Sequence, residues 1–477
     1  MDKPIVPTFA VLGHPNEGKS SVVSTLTEDD SVRISPFPGE TQTCRYYPVR
    51  IDDREIIRFV DTPGFQQPRK TLAWLSAFNG PPGDMAAAFI VAHRDTPDFA
   101  HEVELFSPLA QGAGIIFVVD GSRPLRRVDI LEMEILRLTG LPRMAVINTK
   151  EKDRGEFMKE WKHEARKHFN TVRLFDAHRA TFIERFELLE NLKYIDPEWQ
   201  PQLQEVIAAF RQDWQRRLDQ SVTAILELLV NAARHTAVAT CADESRVPET
   251  RQRLEQEYKS GLQKMEKSAH QEIRRQFKHH LFNLELPPQS IVNEDLFSKK
   301  AWRILGLSQW QLAAAGAAGG GIVGAKIDLA LAGHSLGAFT AIGGLLGGGS
   351  AALGARQAIN ARIKGLPLGR VQVEVGPVKT DQMLYILLDR ALIYFFHVCG
   401  WAHSRRDPPP PAANGQVRAG ITARWDTYIK KQFGRFFAAA RKGDWAALSE
   451  AKPGVRDILA RTLQELPKEG FERLGIL

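Results

Sequence analysis

The sequence predicts an α/β domain with a mostly parallel sheet and flanking helices, followed by a mainly α-helical C-terminal region with a glycine-rich helical hairpin. Three observations lead to this prediction. Over residues 1–195, short apolar runs alternate with helix-like stretches, as in a parallel sheet with crossover helices. After residue 195, apolar residues instead recur at steps of three and four over long stretches. Residues 312–355 consist mainly of Gly, Ala and Leu and contain only two charges.

A phosphate-binding loop, Gly-His-Pro-Asn-Glu-Gly-Lys-Ser, occupies residues 13–20. It follows the apolar run 9–12 and precedes a helix-like stretch, the context that this G-x-x-x-x-G-K-[ST] motif requires. Its glycines let backbone N–H groups turn toward a phosphate, and the positive end of the next helix faces the same anion. We expect Lys19 to contact the β and γ phosphates and Ser20 to bind Mg²⁺. The loop residues predicted to bind nucleotide are Gly13, Asn16, Glu17, Gly18, Lys19, Ser20 and Ser21.

A second motif, Asp-Thr-Pro-Gly at residues 61–64, follows another strand-like run. It places the Asp61 carboxylate where a P-loop enzyme needs a group near Mg²⁺, and the Gly64 N–H where a γ phosphate would lie. Between the two motifs, Thr41 is the first candidate to complete the metal ligands with its hydroxyl, and Thr43 is the second. The predicted metal ligands are Ser20, Thr41 and Asp61, and the predicted catalytic residues are Lys19, Thr41 and Gly64.

This order of motifs resembles the small bacterial GTPases of the Era and tRNA-modification GTPase group. In that group a phosphate loop, a threonine in a mobile first switch, a D-x-P-G second switch, a base-reading N-K-x-D motif and an S-A-K motif follow one another. The resemblance covers roughly the first 180 residues, and the first three motifs match. It implies an enzyme that binds GTP and GDP and hydrolyses GTP with Mg²⁺, with switches at residues 36–48 and 61–75.

The base-reading motif departs from the group's pattern. Residues 148–151 read Asn-Thr-Lys-Glu, so Asn148 and Glu151 occupy the asparagine and acidic positions while Thr149 replaces the lysine. A carboxylate at this place selects guanine by accepting two hydrogen bonds, and Glu is one methylene longer than Asp. Selectivity for GTP over ATP is therefore open, with GTP favoured. The resemblance also implies that the backbone of Ala177 touches the base.

Phe65 stands where many switch GTPases carry the glutamine that orients the attacking water. In the resembling group, an asparagine in the phosphate loop helps to hold a potassium ion against the phosphates, and Asn16 stands at that position. We therefore hypothesise that potassium stimulates turnover. In the alternative interpretation, Asn16 only braces the loop and Phe65 only packs on the domain.

Composition limits the class of protein. A chain of 477 residues predicts two or three domains, and 43% hydrophobic with 25% charged residues excludes a disordered chain. The three cysteines lie far apart, which indicates a reducing compartment without a disulfide framework. Because the phosphate loop begins near Met1, we expect no signal peptide and a cytoplasmic location. The net charge of +7 favours a polyanionic partner, although no nucleic-acid module is recognisable.

Two apolar stripes at helical spacing predict a long helical pair within residues 201–282, which could also support a homo-oligomer. The second stripe, from Leu254 to Phe277, carries many Lys and Arg residues. These residues either form an ordinary solvated face or lie on acidic lipid, and the first is favoured.

Residues 309–356 are interpreted as a glycine-rich helical hairpin. Its glycines recur at four-residue spacing, which lets helix backbones approach closely. Residues 329–355 carry no charge and exceed the roughly 20 residues that a bilayer requires. Membrane insertion is one interpretation, and a tightly packed soluble hairpin or partner interface is the equal alternative. The hairpin also contains Gly-His-Ser-Leu-Gly around Ser335, a nucleophile-elbow pattern that we discount because long charged helices, not alternating strands, precede it.

The rest of the chain has no recognisable catalytic constellation. Residues 371–375 alternate as one strand, and residues 384–396 predict a buried core helix. A Pro-rich linker is predicted at 404–420 and a helical tail at 421–477. The tail's predicted docking anchors are Trp425, Tyr428, Phe433, Phe436 and Phe437. The predicted domains are 1–195, 196–300, 301–403 with the hairpin and core helix, the linker 404–420 and the tail 421–477.

The whole chain resembles a bacterial family that joins this GTPase domain to a large C-terminal domain of unknown function. From this resemblance we expect association with the inner membrane or an integral membrane protein. The leading prediction is a GTP-hydrolysing switch coupled to a membrane-associated, coiled-coil-like helical module. The alternatives are an RNA- or ribosome-associated assembly GTPase, with RNA the less favoured partner, and a nucleotide-binding scaffold with little turnover.

Overall fold

The computed structural model of the chain describes residues 6–28, 41–148, 157–176, 182–242, 244–277, 286, 290–305, 361–365, 371–400 and 420–474. The chain forms two compact units, and the first boundary between them lies between Arg216 and Arg217. The predicted hairpin 309–356, residues 404–419 of the predicted linker, Glu151 and Ala177 lie outside the described residues.

The first unit contains a six-stranded sheet. Its strand order is β2-β3-β1-β4-β5-β6, and every neighbouring pair is parallel except β2 with β3. This mostly parallel sheet confirms the predicted fold class. The strands are β1 (Thr8–Leu12), β2 (Arg45–Ile51), β3 (Arg54–Asp61), β4 (Gly114–Asp120), β5 (Arg143–Asn148) and β6 (Thr171–Phe175).

Helices cover both faces of this sheet, because the side chains of its central strands alternate between two apolar cores. Phe9 and Val11 of β1 pack in one core, whereas Ala10 and Leu12 pack in the other. The helices are α1 (Lys19–Thr27), α2 (Pro68–Ser76), α3 (Met85–His93), α4 (Ala100–Ala110), α5 (Arg127–Leu138), α6 (Met158–His168) and α7 (Phe182–Leu192). Helices α2, α3 and α4 were not predicted individually, and all three lie between β3 and β4.

Parallel register brings the carboxyl ends of β1, β3, β4 and β5 to one edge of the sheet. The phosphate loop follows β1, and Asp61, Asp120 and Asn148 end the other three strands. Ligands of open parallel sheets bind outside this edge. The fold therefore gathers the predicted motifs at one place.

The second unit is largely helical and contains a small antiparallel sheet of order β7-β9-β8. Strand β9 confirms the predicted strand, whereas β7 and β8 were not predicted. The long helix α8 (Gln200–Arg234) contains the division between the units. The other elements are β7 (Ala237–Cys241), α9 (Val247–Gln276), α10 (Lys299–Leu305), β8 (Ala361–Gly365), β9 (Val371–Val375), α11 (Gln382–Cys399), α12 (Thr427–Lys442) and α13 (Trp445–Leu474).

Helix α11 forms the centre of this unit. Among the described residues, it is the one helix whose length and apolar character would allow it to cross a membrane, and 89% of that window is buried inside the protein. Its two mid-helix charges are buried and paired: Asp389 accepts hydrogen bonds from Thr422, and Arg390 binds Glu266 of α9. Both features agree with the predicted core helix.

The aromatic anchors of the C-terminal tail are only partly as predicted. Phe433, Phe436 and Phe437 on α12 are fully buried, and Trp425 is half-buried against Phe433 at a ring distance of 4.8 Å. The prediction for Tyr428 is wrong, because its side chain is 66% exposed. Tyr428 falls on the outer face of the first turn of α12, away from the buried stripe.

Candidate nucleotide-binding site

The phosphate loop depends on backbone conformations that suit glycine. Gly13 has φ +143°, and a Cβ atom added there would lie 2.2 Å from the Val118 carbonyl oxygen. Gly18 has φ +95° at the start of α1, and Asn16 has φ +68°. The two glycines and the asparagine let the loop curve closely over the end of β4.

Lys19 lies folded into this loop. Its Nζ donates hydrogen bonds to the carbonyl oxygens of Gly13 at 3.1 Å and His14 at 3.0 Å. Burial lowers the pKa of Lys19, and the nearby carboxylates of Asp61, Glu132 and Glu17 oppose that shift. A phosphate beside this ammonium would supply the strong negative partner that a buried cation needs.

The three predicted metal ligands lie together. Ser20 Oγ donates to Asp61 Oδ2 at 2.8 Å, and Thr41 Oγ1 donates to the same oxygen at 3.4 Å. Asp61 is buried, its Oδ1 has no hydrogen-bond partner among the described residues, and burial raises its pKa. Two hydroxyls and one carboxylate form the all-oxygen donor set that suits Mg²⁺. Thr41, which contacts Asp61 here, is the threonine that was predicted first as a metal ligand, ahead of Thr43.

The second motif packs directly on the phosphate loop. A Cβ atom added at Gly64 would lie 2.5 Å from Pro15 Cδ, so the two backbones approach closely. Thr62 Oγ1 donates to the Val11 carbonyl oxygen at 2.7 Å, which fixes the motif to β1. Phe65 is 1% exposed and belongs to the apolar core. Its side chain is therefore unavailable for contact with a substrate water.

The Glu17 side chain belongs to a charged cluster that was not predicted. Glu17 is 3% exposed and accepts from Arg123 Nε at 3.0 Å and Arg126 Nη2 at 3.2 Å. Asp129 on α5 binds both arginines, at 2.8 Å and 3.0 Å. Hydrogen bonds between charged groups are stronger than neutral ones. The cluster therefore attaches the phosphate loop firmly to the start of α5.

Two further contacts tie the loop to its surroundings. His14 Nδ1 lies 2.7 Å from Glu132 Oε1, and burial raises the pKa of this glutamate. Asn148 Nδ2 donates to the Glu17 carbonyl oxygen at 3.2 Å, so the first residue of the predicted base-reading motif is bonded to the phosphate loop. Ser21 is buried in the first turn of α1.

A cleft of about 750 Å³ opens above the phosphate loop. His101, Arg123 and Arg126 were not predicted as cleft residues, since each lies far in sequence from the motifs. The cleft is lined by His14, Pro15, Asn16, Glu17, Gln42, Gln66, His101, Asp120, Arg123 and Arg126.

Two family models match the chain. The family described as 50S ribosome-binding GTPase matches residues 8–149, and the family described as a domain of unknown function, DUF3482, matches residues 162–465. The first match covers every described residue predicted to bind nucleotide or metal.

The curated relatives named here each match about a third of the chain. The probable GTP-binding protein EngB of Leuconostoc mesenteroides is 30% identical over 155 residues, which is 32% of this chain and 68% of EngB. GTPase Der of Burkholderia cenocepacia is 29% identical over 145 residues, or 30% of this chain. The chain spans only 27% of the length of Der.

Solved structures include Era of Aquifex aeolicus bound to GDP and AlF4-, at 20% sequence identity and a TM-score of 0.29. The alignment covers 50% of this chain and 72% of Era. NFeoB of S. thermophilus bound to GMPPNP, at 18% identity and a TM-score of 0.23, is aligned over 48% of this chain and 74% of its own.

Proposed function

The chain belongs to the family that joins an Era-like P-loop GTPase domain to the domain of unknown function DUF3482, and we propose that its GTP hydrolysis switches a membrane-associated C-terminal region. The GTPase part of this statement rests on the matched GTPase family model and on the curated GTPase relatives. Coupling to a membrane is the proposed part.

The proposed roles of the site residues follow from the chemistry of GTP hydrolysis. Water attacks the γ phosphorus, the bond to the β–γ bridging oxygen breaks, and GDP and inorganic phosphate leave. We assign to Lys19 the role of offsetting the phosphate charge, and to the Gly64 N–H the role of donating to the γ phosphate. When bound by Ser20, Thr41 and Asp61, Mg²⁺ would neutralise charge on the phosphate oxygens.

The observation that carries the membrane proposal is the uncharged stretch 329–355, which is longer than the roughly 20 residues that span a bilayer. Basic side chains on α9 would support attachment to an anionic surface, since charge near such a surface is attractive. Five of these side chains are exposed: Arg251, Arg253, Lys264, Lys267 and Arg275. We propose a cytoplasmic protein held at the inner membrane, either in the bilayer or on an integral membrane protein.

Fractionation of cells that express the full chain tests this proposal. We expect the protein to stay in the membrane pellet after an alkaline carbonate wash, and a chain without residues 309–356 to be released. Leu345→Lys should weaken retention and Leu345→Ala should not, because a charge within a span is costly whereas a small apolar residue is not. A full chain that remains in the supernatant would contradict the proposal.

A second candidate is an RNA- or ribosome-associated assembly GTPase. The match to the family described as 50S ribosome-binding GTPase and the net charge of +7 favour it. Cosedimentation of the full chain with ribosomes in GMPPNP, lost in GDP and reduced by salt, would support this candidate. If a chain without residues 309–356 cosedimented with ribosomes in the same way, ribosome binding would not depend on the segment proposed for membrane attachment.

Two smaller proposals concern cofactor and assembly. We propose that potassium stimulates turnover at Asn16, because Asn16 lines the cleft and Phe65 is buried.

We also propose self-association through the helices within residues 201–282. Sedimentation of the full chain at increasing concentrations tests the second proposal, and a monomer at every concentration would contradict it.

A further inference from the structure

Helix α4 is bonded to both segments that flank the predicted γ-phosphate position. Glu102 is fully buried, and its Oε1 accepts hydrogen bonds from the N–H groups of Gln66 at 2.7 Å and Gln67 at 2.6 Å, just after Gly64. Glu104 Oε2 accepts from the Cys44 N–H at 3.1 Å, three residues after Thr41. Two carboxylates on one helix therefore hold the first and second switch segments.

His101 precedes Glu102 on α4 and lines the cleft with Gln42 and Gln66. Its Nδ1 is buried and has no hydrogen-bond partner among the described residues. Nδ1 has almost no surface open to solvent, whereas Nε2 is not among the buried nitrogens, so Nε2 is the ring nitrogen that a molecule in the cleft can reach. A rigid helix holds this imidazole more precisely than the neighbouring loops hold the two glutamines.

The site needs a polar group here, because Phe65 is buried in the core and is unable to orient a water molecule. We propose that His101 contacts the attacking water and orients it toward the γ phosphorus, an inference that rests on GTP hydrolysis in this cleft. The imidazole accepts a hydrogen bond from the water, whose oxygen forms the new bond to phosphorus, and the proton finishes on the released phosphate. Glu102 and Glu104 are positioning residues, because they act through the placement of α4.

The test compares His101→Ala and His101→Gln with the wild-type full chain. We expect His101→Ala to slow single-turnover GTP hydrolysis roughly 100-fold, within the range for loss of a group that handles the reacting water. The Kd for GMPPNP should stay within about twofold, whereas the affinity for GDP with aluminium fluoride should fall, since the contact strengthens in the transition state. His101→Gln should restore part of the rate, because an amide can also bind the water.

His163→Ala is the matched control, because His163 is an exposed histidine on α6 outside the cleft lining. An unchanged rate in His101→Ala would overturn the proposal, as would equal losses in rate and GMPPNP affinity. If His101→Ala did not fold, the hydrolysis rates of Gln66→Ala and His101→Gln would be compared instead. A larger loss of rate in Gln66→Ala than in His101→Gln would assign the contact with the water to Gln66 and overturn the proposal. Absence of hydrolysis by the wild-type chain would instead refute GTP hydrolysis itself.

Discussion

Gly13 shows how a single residue sets the shape of the phosphate loop. Its φ of +143° and the 2.2 Å separation between an added Cβ and the Val118 oxygen exclude any side chain without movement of β4. We predict that Gly13→Ala loses GTP binding and about 1–3 kcal/mol of unfolding free energy from backbone strain, before any cost of the clash. Fluorescent-nucleotide titration and chemical denaturation measure the two losses.

Gly83 is the matched control for this prediction. An added Cβ there meets no atom within 4 Å, and the residue is exposed between α2 and α3. We expect Gly83→Ala to change the unfolding free energy by less than about 0.5 kcal/mol and to bind GTP normally. Equal effects of the two substitutions would show that the Gly13 backbone is not strained.

Asn16 gives a prediction about cations. The residue lies in the phosphate loop and lines the cleft, while Phe65 is unable to stabilise the reaction from the second switch. We predict faster GTP turnover in potassium than in sodium at equal ionic strength, with the difference lost in Asn16→Ala. GTP affinity measured in both salts is the control. Equal turnover rates with normal binding would rule out potassium activation.

The sequence was most informative about residues whose chemistry depends on local motifs. Ser20, Thr41 and Asp61 were predicted as one metal site, and the structure places the Ser20 and Thr41 hydroxyl oxygens 2.8 Å and 3.4 Å from Asp61 Oδ2. His101 and the arginines that bind Glu17 were missed, because only the folded chain brings them to the loop. Nothing in the local sequence around position 101 distinguishes a cleft histidine from a surface one.

At the scale of elements, periodicity identified structures that bury their own apolar faces. It predicted the buried helix α11 and the strand β9, whose valines alternate inward. It missed β7, a short strand buried only at its two end residues, which pairs with β9 from more than 120 residues away. Such a strand is stabilised by a distant partner, so its own residues carry little signal.

Asp389 joins α11 to the segment before α12 and makes the stability of this unit depend on pH. It is fully buried, accepts from the Thr422 N–H and hydroxyl at 2.8 Å, and burial raises its pKa from 3.8 to about 7. Between these two values the folded state holds a proton that the unfolded state has released. This residue's contribution to stability is therefore present at low pH and falls as pH rises toward 7.

We predict that Asp389→Asn removes the fall in stability with rising pH, because an amide of the same shape carries no charge to bury. Relative to the wild type, the variant should gain unfolding free energy as pH rises from about 4 to 7, at up to roughly 1.4 kcal/mol per pH unit. Chemical denaturation of both proteins across this pH range measures the difference, in which all other titrating groups cancel. A constant difference between the two proteins would show that Asp389 does not titrate there.

At the scale of the whole molecule, the GTPase residues and the uncharged stretch 329–355 lie far apart in sequence, so a switch requires a coupling free energy between nucleotide and membrane. Such coupling must be reciprocal: the factor by which GTP changes membrane affinity equals the factor by which the membrane changes GTP affinity. We predict that membrane affinity differs by a factor of about five or more between the GMPPNP-bound and GDP-bound chains, within the usual range for coupled sites.

Two titrations measure this coupling in the full chain. The first gives the Kd for anionic vesicles in GMPPNP and in GDP, and the second gives the Kd for each nucleotide with and without saturating vesicles. The ratios from the two titrations should agree, and both should become one in a chain without residues 309–356, whose nucleotide affinity in solution should be normal. Tight vesicle binding with equal affinities in the two nucleotides would leave a membrane-attached GTPase and refute the switch, because a ligand with no differential affinity shifts no equilibrium.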